Sequence, residues 1–236
     1  MSIEVTNLTK MYASQKVLDS ISFCTKSNHI IGVLGPNGAG KTTTMKILVG
    51  ILTANEGLVK VDNIDIRQQR ILAKKHIGYL AENNPLYADM YIRELLTFEA
   101  QVHQLKAISS RVDEVIARTG LIEEQFKKIN QLSRGFKQRV GLAMAIIHDP
   151  TILILDEPTS GLDPNQIIEI RNLIKTLSLN KTVLLSTHIM QEVDAICDEV
   201  IVLHKGQIKA HFLKDEQTSK FPNLSMEEIF VQLTTT

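Results

Sequence analysis

IIGVLGPNGAGKTTTMKILVG, residues 30–50, decides the fold. Its first five residues are continuously apolar, the mark of a strand covered on both faces, as in a parallel sheet. The turn that follows, GPNGAGKT, fits G-x-x-x-x-G-K-[ST], and it opens a helical stretch, TTTMKILV. Strand, loop and helix in that order read as a phosphate cradle rather than a mere tight turn. Glycines let backbone N–H groups wrap the phosphates, and the helix N-terminus adds its positive end. Gly35, Pro36, Asn37, Gly38, Ala39, Gly40, Lys41, Thr42 and Thr43 are therefore the candidate nucleotide contacts. Lys41 reaches the β and γ phosphates as a candidate catalytic residue, and the Thr42 hydroxyl offers a ligand to Mg2+.

Outward from this loop, β-rich runs lie at 3–5 (IEV), 17–23 (VLDSISF) and 58–61 (LVKV), then at 151–155 (TILIL), 182–186 (TVLLS) and 200–203 (VIVL). In the second run Ile21 and Phe23 alternate with Ser20 and Ser22, a half-buried strand. A helix separates the later runs, with Ile167, Ile170, Leu173, Ile174 and Leu177 on one face. Strands alternating with helices predict an α/β protein with a parallel sheet. Residues 84–131 read as a helical insertion. From about 212 onward a polar stretch closes with SMEEIFVQL, whose Met226, Ile229, Phe230 and Leu233 fit a short amphipathic helix.

The chain has 236 residues, 44% hydrophobic and 22% charged, the content of an ordinary globular protein of one large or two intimately packed domains. Lys plus Arg and Asp plus Glu are each 26, so no net field draws the molecule to nucleic acid or anionic lipid. The longest apolar run, residues 140–147, stops at His148-Asp149-Pro150, well short of the roughly 20 residues that a membrane-spanning helix needs. MSIEVTNLTK lacks the apolar core of a signal peptide, and the expected compartment is the cytosol. Cys24 and Cys197 belong to no C-x-x-C pair and read as inert buried thiols. His29, in the turn SNH, reads as solvated.

TILILDEP delivers Asp156 and Glu157 to the C-terminal end of a strand, the edge where open parallel sheets hold ligands. Asp156 is placed to hold Mg2+. Glu157 can orient and deprotonate the water that attacks a γ-phosphate. Another strand ends in LLSTH and puts His188 at the same edge. Taken alone a strand-end histidine is more often structural; beside a phosphate loop it becomes a catalytic candidate. No N-K-x-D guanine-reading element occurs, since Asn180-Lys181 continues as Thr182-Val183, so ATP is the expected nucleotide.

LSRGF, residues 132–136, resembles the signature motif of ABC-type ATPases, and SGLD, residues 160–163, resembles their D-loop. The other expected elements occur in order along nearly the whole chain: Tyr12 as adenine-stacking aromatic, GPNGAGKTT, a Q-loop site at Glu82, LILDEP and His188. The resemblance implies a P-loop NTPase fold of the ABC nucleotide-binding type, with a mainly parallel core sheet, an antiparallel β subdomain and an inserted helical subdomain. It implies a single domain over 1–236, with 1–83 and 132–211 as catalytic core, 84–131 as helical subdomain and 212–236 as C-terminal tail.

The resemblance further implies ATP hydrolysis to ADP and phosphate with Mg2+ by a head-to-tail dimer, with a second ATP-binding subunit, a copy of this chain or a paralogous cassette, as first partner. In that dimer Ser133 and Gly135 contact the nucleotide held by the other subunit, and Asp163 is a further nucleotide-binding residue. The second partner is an integral membrane permease, whose cytoplasmic helices enter a groove near Glu82 and the helical insertion. The chain itself would then sit on the cytoplasmic face of the membrane, with no nucleic acid partner. IGYLAENNPLY, SRGFKQRVGLA, GLDPNQ, STHIMQEVDAICD and MEEIFVQLT look more narrowly like ATP-binding subunits of ABC-2-type exporters, above all the gliding-motility-associated ones.

The usual signature reads LSGGQ, so Arg134 and Phe136 depart from it, and Glu82 stands where glutamine is usual. A carboxylate there could bind Mg2+ or water, or serve only structure. Tyr12 is an adenine platform or a partly buried strand-end aromatic. Two other functions compete: a soluble ABC ATPase acting on DNA or ribosomes, and a P-loop kinase. The first usually carries a long coiled-coil insert, zinc modules or two cassettes, none of which is seen here. The second gives LSRGF and SGLD no purpose.

Overall fold

The computed structural model describes residues 2–235. In chain order the strands and helices are β1 (Ile3–Tyr12), β2 (Gln15–Cys24), β3 (Ile30–Leu34), α1 (Lys41–Leu48), β4 (Glu56–Val61), β5 (Ile64–Asp65), α2 (Arg70–Lys75), β6 (Ile77–Leu80), α3 (Ile92–Val102) and α4 (Ile108–Arg118). They continue with α5 (Arg134–Ile146), β7 (Ile152–Asp156), α6 (Pro164–Leu177), β8 (Thr182–Thr187), α7 (Met190–Ile196), β9 (Glu199–His204), β10 (Gln207–Leu213), α8 (Gln217–Lys220) and α9 (Met226–Thr234).

Two sheets form. The antiparallel one has the order β2-β1-β4-β5, and the larger one runs β10-β9-β3-β8-β7-β6. In the larger sheet every pairing from β9 to β6 is parallel, and β10 joins β9 antiparallel at one edge. Alternation along the parallel strands feeds two separate cores. Ile30 and Leu34 of β3, Leu153 and Leu155 of β7 and Val200 and Val202 of β9 face a cluster with α3, α4, α5 and α6. Ile31 and Val33, Ile152 and Ile154, and Ile201 and Leu203 face the other way, toward α1 and the antiparallel sheet. That double burial is why these strands read as unbroken apolar runs. Gly32 is small for a reason visible here: a Cβ on it would lie 2.8 Å from Cys197 Sγ, so α7 can press close against β3.

Helices α3 and α4 bury Ile92, Leu95, Leu96 and Ala100, and Val112, Val115 and Ile116, at helical spacing. These side chains join the same cluster as the sheet, so the helical segment shares the core rather than forming its own.

Several sequence expectations are corrected. Cys24 is exposed, because the alternation that buries Ile21 and Phe23 turns Cys24 outward with Ser20 and Ser22. Its partner in expectation, Cys197, is buried, and burial pushes that thiol's pKa upward. His29 is only partly exposed, its Nδ1 3.8 Å from the buried Glu199 carboxylate. The stretch read as beginning a polar tail at 212 opens inside β10, whose Phe212 is buried and packs edge-on against Phe221.

Candidate active site

All parallel strands of the larger sheet deliver their C-terminal ends to one edge. There the loop after β3 carries Gly35 to Thr43, β7 ends in Asp156 followed by Glu157, His188 follows β8, and Glu82 lies two residues beyond β6. Because β3, β8, β7 and β6 are successive neighbours, four short loops converge. They line a cleft of about 390 Å³ that includes Asn37, Lys41, Thr42, Glu82, Glu157 and His188.

The loop takes its shape from glycine. Gly38 and Gly40 have φ of 79° and 107°, a region other residues rarely enter, and Gly40 is the N-cap of α1. Lys41 is buried and its Nζ donates to the carbonyls of Gly35 at 2.8 Å and Pro36 at 3.3 Å. The same ammonium stands 3.2 Å from Glu157 Oε1, while Glu157 Oε2 meets His188 Nδ1 at 2.8 Å. Each carboxylate oxygen of Glu157 is thus held by one side chain, and the acid itself is buried.

Asp156 is fully buried. Its Oδ1 accepts from Ser186 Oγ at 2.5 Å and from Thr42 Oγ1 at 3.2 Å. Burial pushes its carboxyl above the ordinary carboxylate range against those two hydroxyls, and the charges of Glu82 and Glu157 push the same way. Oδ2 is buried with no hydrogen-bond partner among the described residues. An uncompensated carboxylate oxygen beside the Thr42 hydroxyl fits a hard divalent cation. Among the described residues no group of three or more His, Cys, Asp or Glu could hold a metal, so the Asp156 carboxylate and the Thr42 hydroxyl would not by themselves make a full coordination shell.

Glu157 has φ of 49°, strained for a residue with a side chain. Its N–H donates to both the carbonyl and the hydroxyl of Ser186, at 3.2 and 3.0 Å. Beyond it, Gln138 Nε2 of α5 donates to the Pro158 carbonyl at 2.6 Å, and the Thr159 hydroxyl donates to the buried Glu192 of α7. Ser186, Gln138, Thr159 and Glu192 had no sequence signal, because each contact spans many residues of chain.

Not all the expected residues meet here. Ser133 caps α5, its Oγ accepting from Phe136 N, and Asp163 caps α6, accepting from Gln166 N. Neither they nor Gly135 lines the cleft. Tyr12, the last residue of β1, lies outside the lining too, 46% exposed, with Lys10 Nζ 5.1 Å from its ring centre. Arg134 stacks its guanidinium over Gly161, filling the space where a Cβ would stand.

A glycine-shaped loop, a buried strand-end acid pair and a strand-end histidine define a P-loop nucleotide hydrolase. A family profile described as ABC transporter matches residues 18–160, more than half the chain. The chain is 40% identical over 213 residues to the bacitracin transport ATP-binding protein BcrA of Bacillus licheniformis, a match covering 87% of this chain and 68% of that one. Among solved structures it resembles the ATP-binding subunit of an ABC transporter, with TM-score 0.88, 27% identity and 99% of both chains covered. It also resembles a dimeric ATP-binding cassette in a post-hydrolysis state with ADP and Pi, with TM-score 0.82, 25% identity, and 89% of this chain and 98% of that one covered. The chain belongs to the ABC transporter ATP-binding family. It binds ATP and hydrolyses it as the ATP-binding subunit of such a transporter. The names of these relatives do not carry the gliding-motility association, which rests on the sequence resemblance alone.

Proposed function

We propose that the chain powers a separate integral membrane permease, as an exporter, by closing head to tail with a second copy of itself on two MgATP at the cytoplasmic face of the membrane. The supporting observation is the Glu157 carboxylate, gripped between Lys41 and His188 at the mouth of the phosphate loop. In this reading the loop amides and Lys41 hold the β and γ phosphates. Glu157 takes the proton of the attacking water, and the His188 ring, bonded to the same carboxylate, orients that base. Thr42 and Asp156, with Glu82 beside them in the cleft, would hold Mg2+, which supplies neutralisation of phosphate charge. Tyr12 would stack on adenine.

Ser133, Gly135 and Asp163 stand at the N-termini of α5 and α6 and outside their own chain's cleft, as residues serving a partner's γ-phosphate would. A second cleft, of about 440 Å³, lies between the sheet and α3 and is lined by Ile51, Tyr79, Asn84, Glu99, His103 and His148. It is suited to the permease's cytoplasmic helices. No helix among the described residues is long and apolar enough to cross a membrane, so the span is assigned to that other subunit. Bacitracin transport, printed in the name of one relative, supports the transporter context.

The test is Glu157→Gln. It should keep ATP binding, abolish turnover and trap an ATP-bound dimer on size exclusion. Wild-type turnover in that variant would remove Glu157 as the base.

A further inference from the structure

The signature helix touches the acid-bearing loop of its own chain, and it does so twice. Arg134 and Gln138 are one helical turn apart on α5, hence on the same face. Arg134 covers Gly161, a glycine with φ of 69°, and Gln138 Nε2 donates to the carbonyl of Pro158, next to Glu157. Between these two grips lies the turn closed by the Ser160 N–H on the Glu157 carbonyl, at 3.1 Å. Glu157 itself is at φ of 49°, and such a backbone persists only where its surroundings hold it on both sides. On its N-terminal side the hold is Ser186 of β8. On its C-terminal side the first hold is Gln138, and it comes from the helix whose other end carries Ser133 and Gly135.

We infer that Gln138 is a positioning residue for hydrolysis: its hydrogen bond to the Pro158 carbonyl keeps Glu157 aimed at the attacking water and ties that aim to the position of α5. The inference rests on the reading of Glu157 as general base. In a head-to-tail dimer the consequence is communication between sites. The N-terminus of α5 senses the γ-phosphate bound by the partner, while four residues further on the same helix steadies the base acting on the nucleotide of its own chain. A shift of α5 on loss of the partner's γ-phosphate then slackens Glu157, so the state of one site sets the rate at the other. Arg134 is the second grip, with its guanidinium laid on the backbone at Gly161 rather than paired with an acid.

The experiment compares steady-state ATPase activity, ATP affinity and thermal stability for wild type, Gln138→Glu and Gln138→Lys, with Glu157→Gln as a separate control. Gln138→Glu matches the size of glutamine but has no N–H to give. It should lower kcat about tenfold with ATP affinity and KM within about twofold of wild type, and without loss of folded protein. Gln138→Lys keeps a donor of similar reach and should recover most of the lost turnover; a role in packing alone would not separate these two variants. The wild-type protein should also show a Hill coefficient above one for ATP, falling toward one in Gln138→Glu. Wild-type kcat in Gln138→Glu, or equal losses in both Gln138 variants, would overturn the inference. Active Glu157→Gln would instead overturn the general-base reading beneath it, so the two failures are distinguishable.

Discussion

Acidification gives a sharp test of the wall between the sheet and the helical segment. His148 follows α5, donates from Nε2 to the Ile77 carbonyl at 3.0 Å, and stacks on His103 with ring centres 3.9 Å apart and planes 3° from parallel. Burial lowers its pKa from 6.5 to about 4, and the charges of His103, Arg111 and Lys181 push the same way, against the Ile77 carbonyl. Native protein therefore refuses a proton that the unfolded chain accepts. The stability contributed by the neutral ring is intact above pH 6.5 and is lost as pH falls from 6.5 toward about 4. At 1.36 kcal/mol per pH unit that loss comes to about 3.4 kcal/mol in full and about 2 kcal/mol at pH 5, an upper value because the ring keeps some solvent contact.

Other groups face the same wall. Asp149, lowered by Lys181, loses its contribution only at more acid pH, whereas burial raises Glu99 and makes it favour acid. Comparison with His148→Gln cancels both, since glutamine keeps a donor for Ile77 but takes no proton. Urea unfolding at pH 7 and pH 5 should show wild type losing about 2 kcal/mol more than the variant over that interval. Equal losses in the two proteins would refute the assignment of acid sensitivity to this ring.

Ser133→Arg should leave nucleotide binding to the monomer within about threefold of wild type while abolishing ATP-dependent dimerisation, measured by light scattering with Glu157→Gln as the dimer-trapping background. Dimerisation that survived the arginine would take Ser133 out of the interface. Gly32→Ala should cost about 1 to 3 kcal/mol in urea unfolding, because its methyl must displace Cys197 Sγ and Val193 against β3; an unchanged midpoint would mean that α7 is free to move away.

What the sequence made legible was whatever is written locally. Residues 30–34 read as a doubly covered strand because both neighbouring layers bury it, and the structure returns the same five residues. Asp156, Glu157 and His188 could be aimed at one edge because each ends a strand with a plain apolar run. β6 escaped notice: it has four residues, one of them Gly78, and only its pairing with β7 makes it a strand. β10 escaped too, since an edge strand with mixed burial lacks both the alternating and the continuous pattern. Cys24 misled because cysteine's general preference for burial lost to the register of β2.

The active site divides along the same line, and the division has a physical cause. Lys41, Thr42, Asp156, Glu157 and His188 gather because a parallel sheet sends its strand ends to one edge, so motif order alone predicts their meeting. Ser133, Gly135 and Asp163 sit at helix starts beyond the cleft of the same chain, and the role proposed for them requires a second subunit that no reading of one chain contains. What joins the two sets within one chain is the side of α5 that carries Arg134 and Gln138, and neither residue announces this in sequence. Arginine at the first turn and glutamine at the second are ordinary helix-surface residues until Gly161 and the Pro158 carbonyl are found beneath them. The strain at Glu157 is then intelligible. If Glu157 is the base proposed above, a backbone held away from its preferred conformation gives a small shift of one helix the means to release it, which an extended, unstrained strand end would lack.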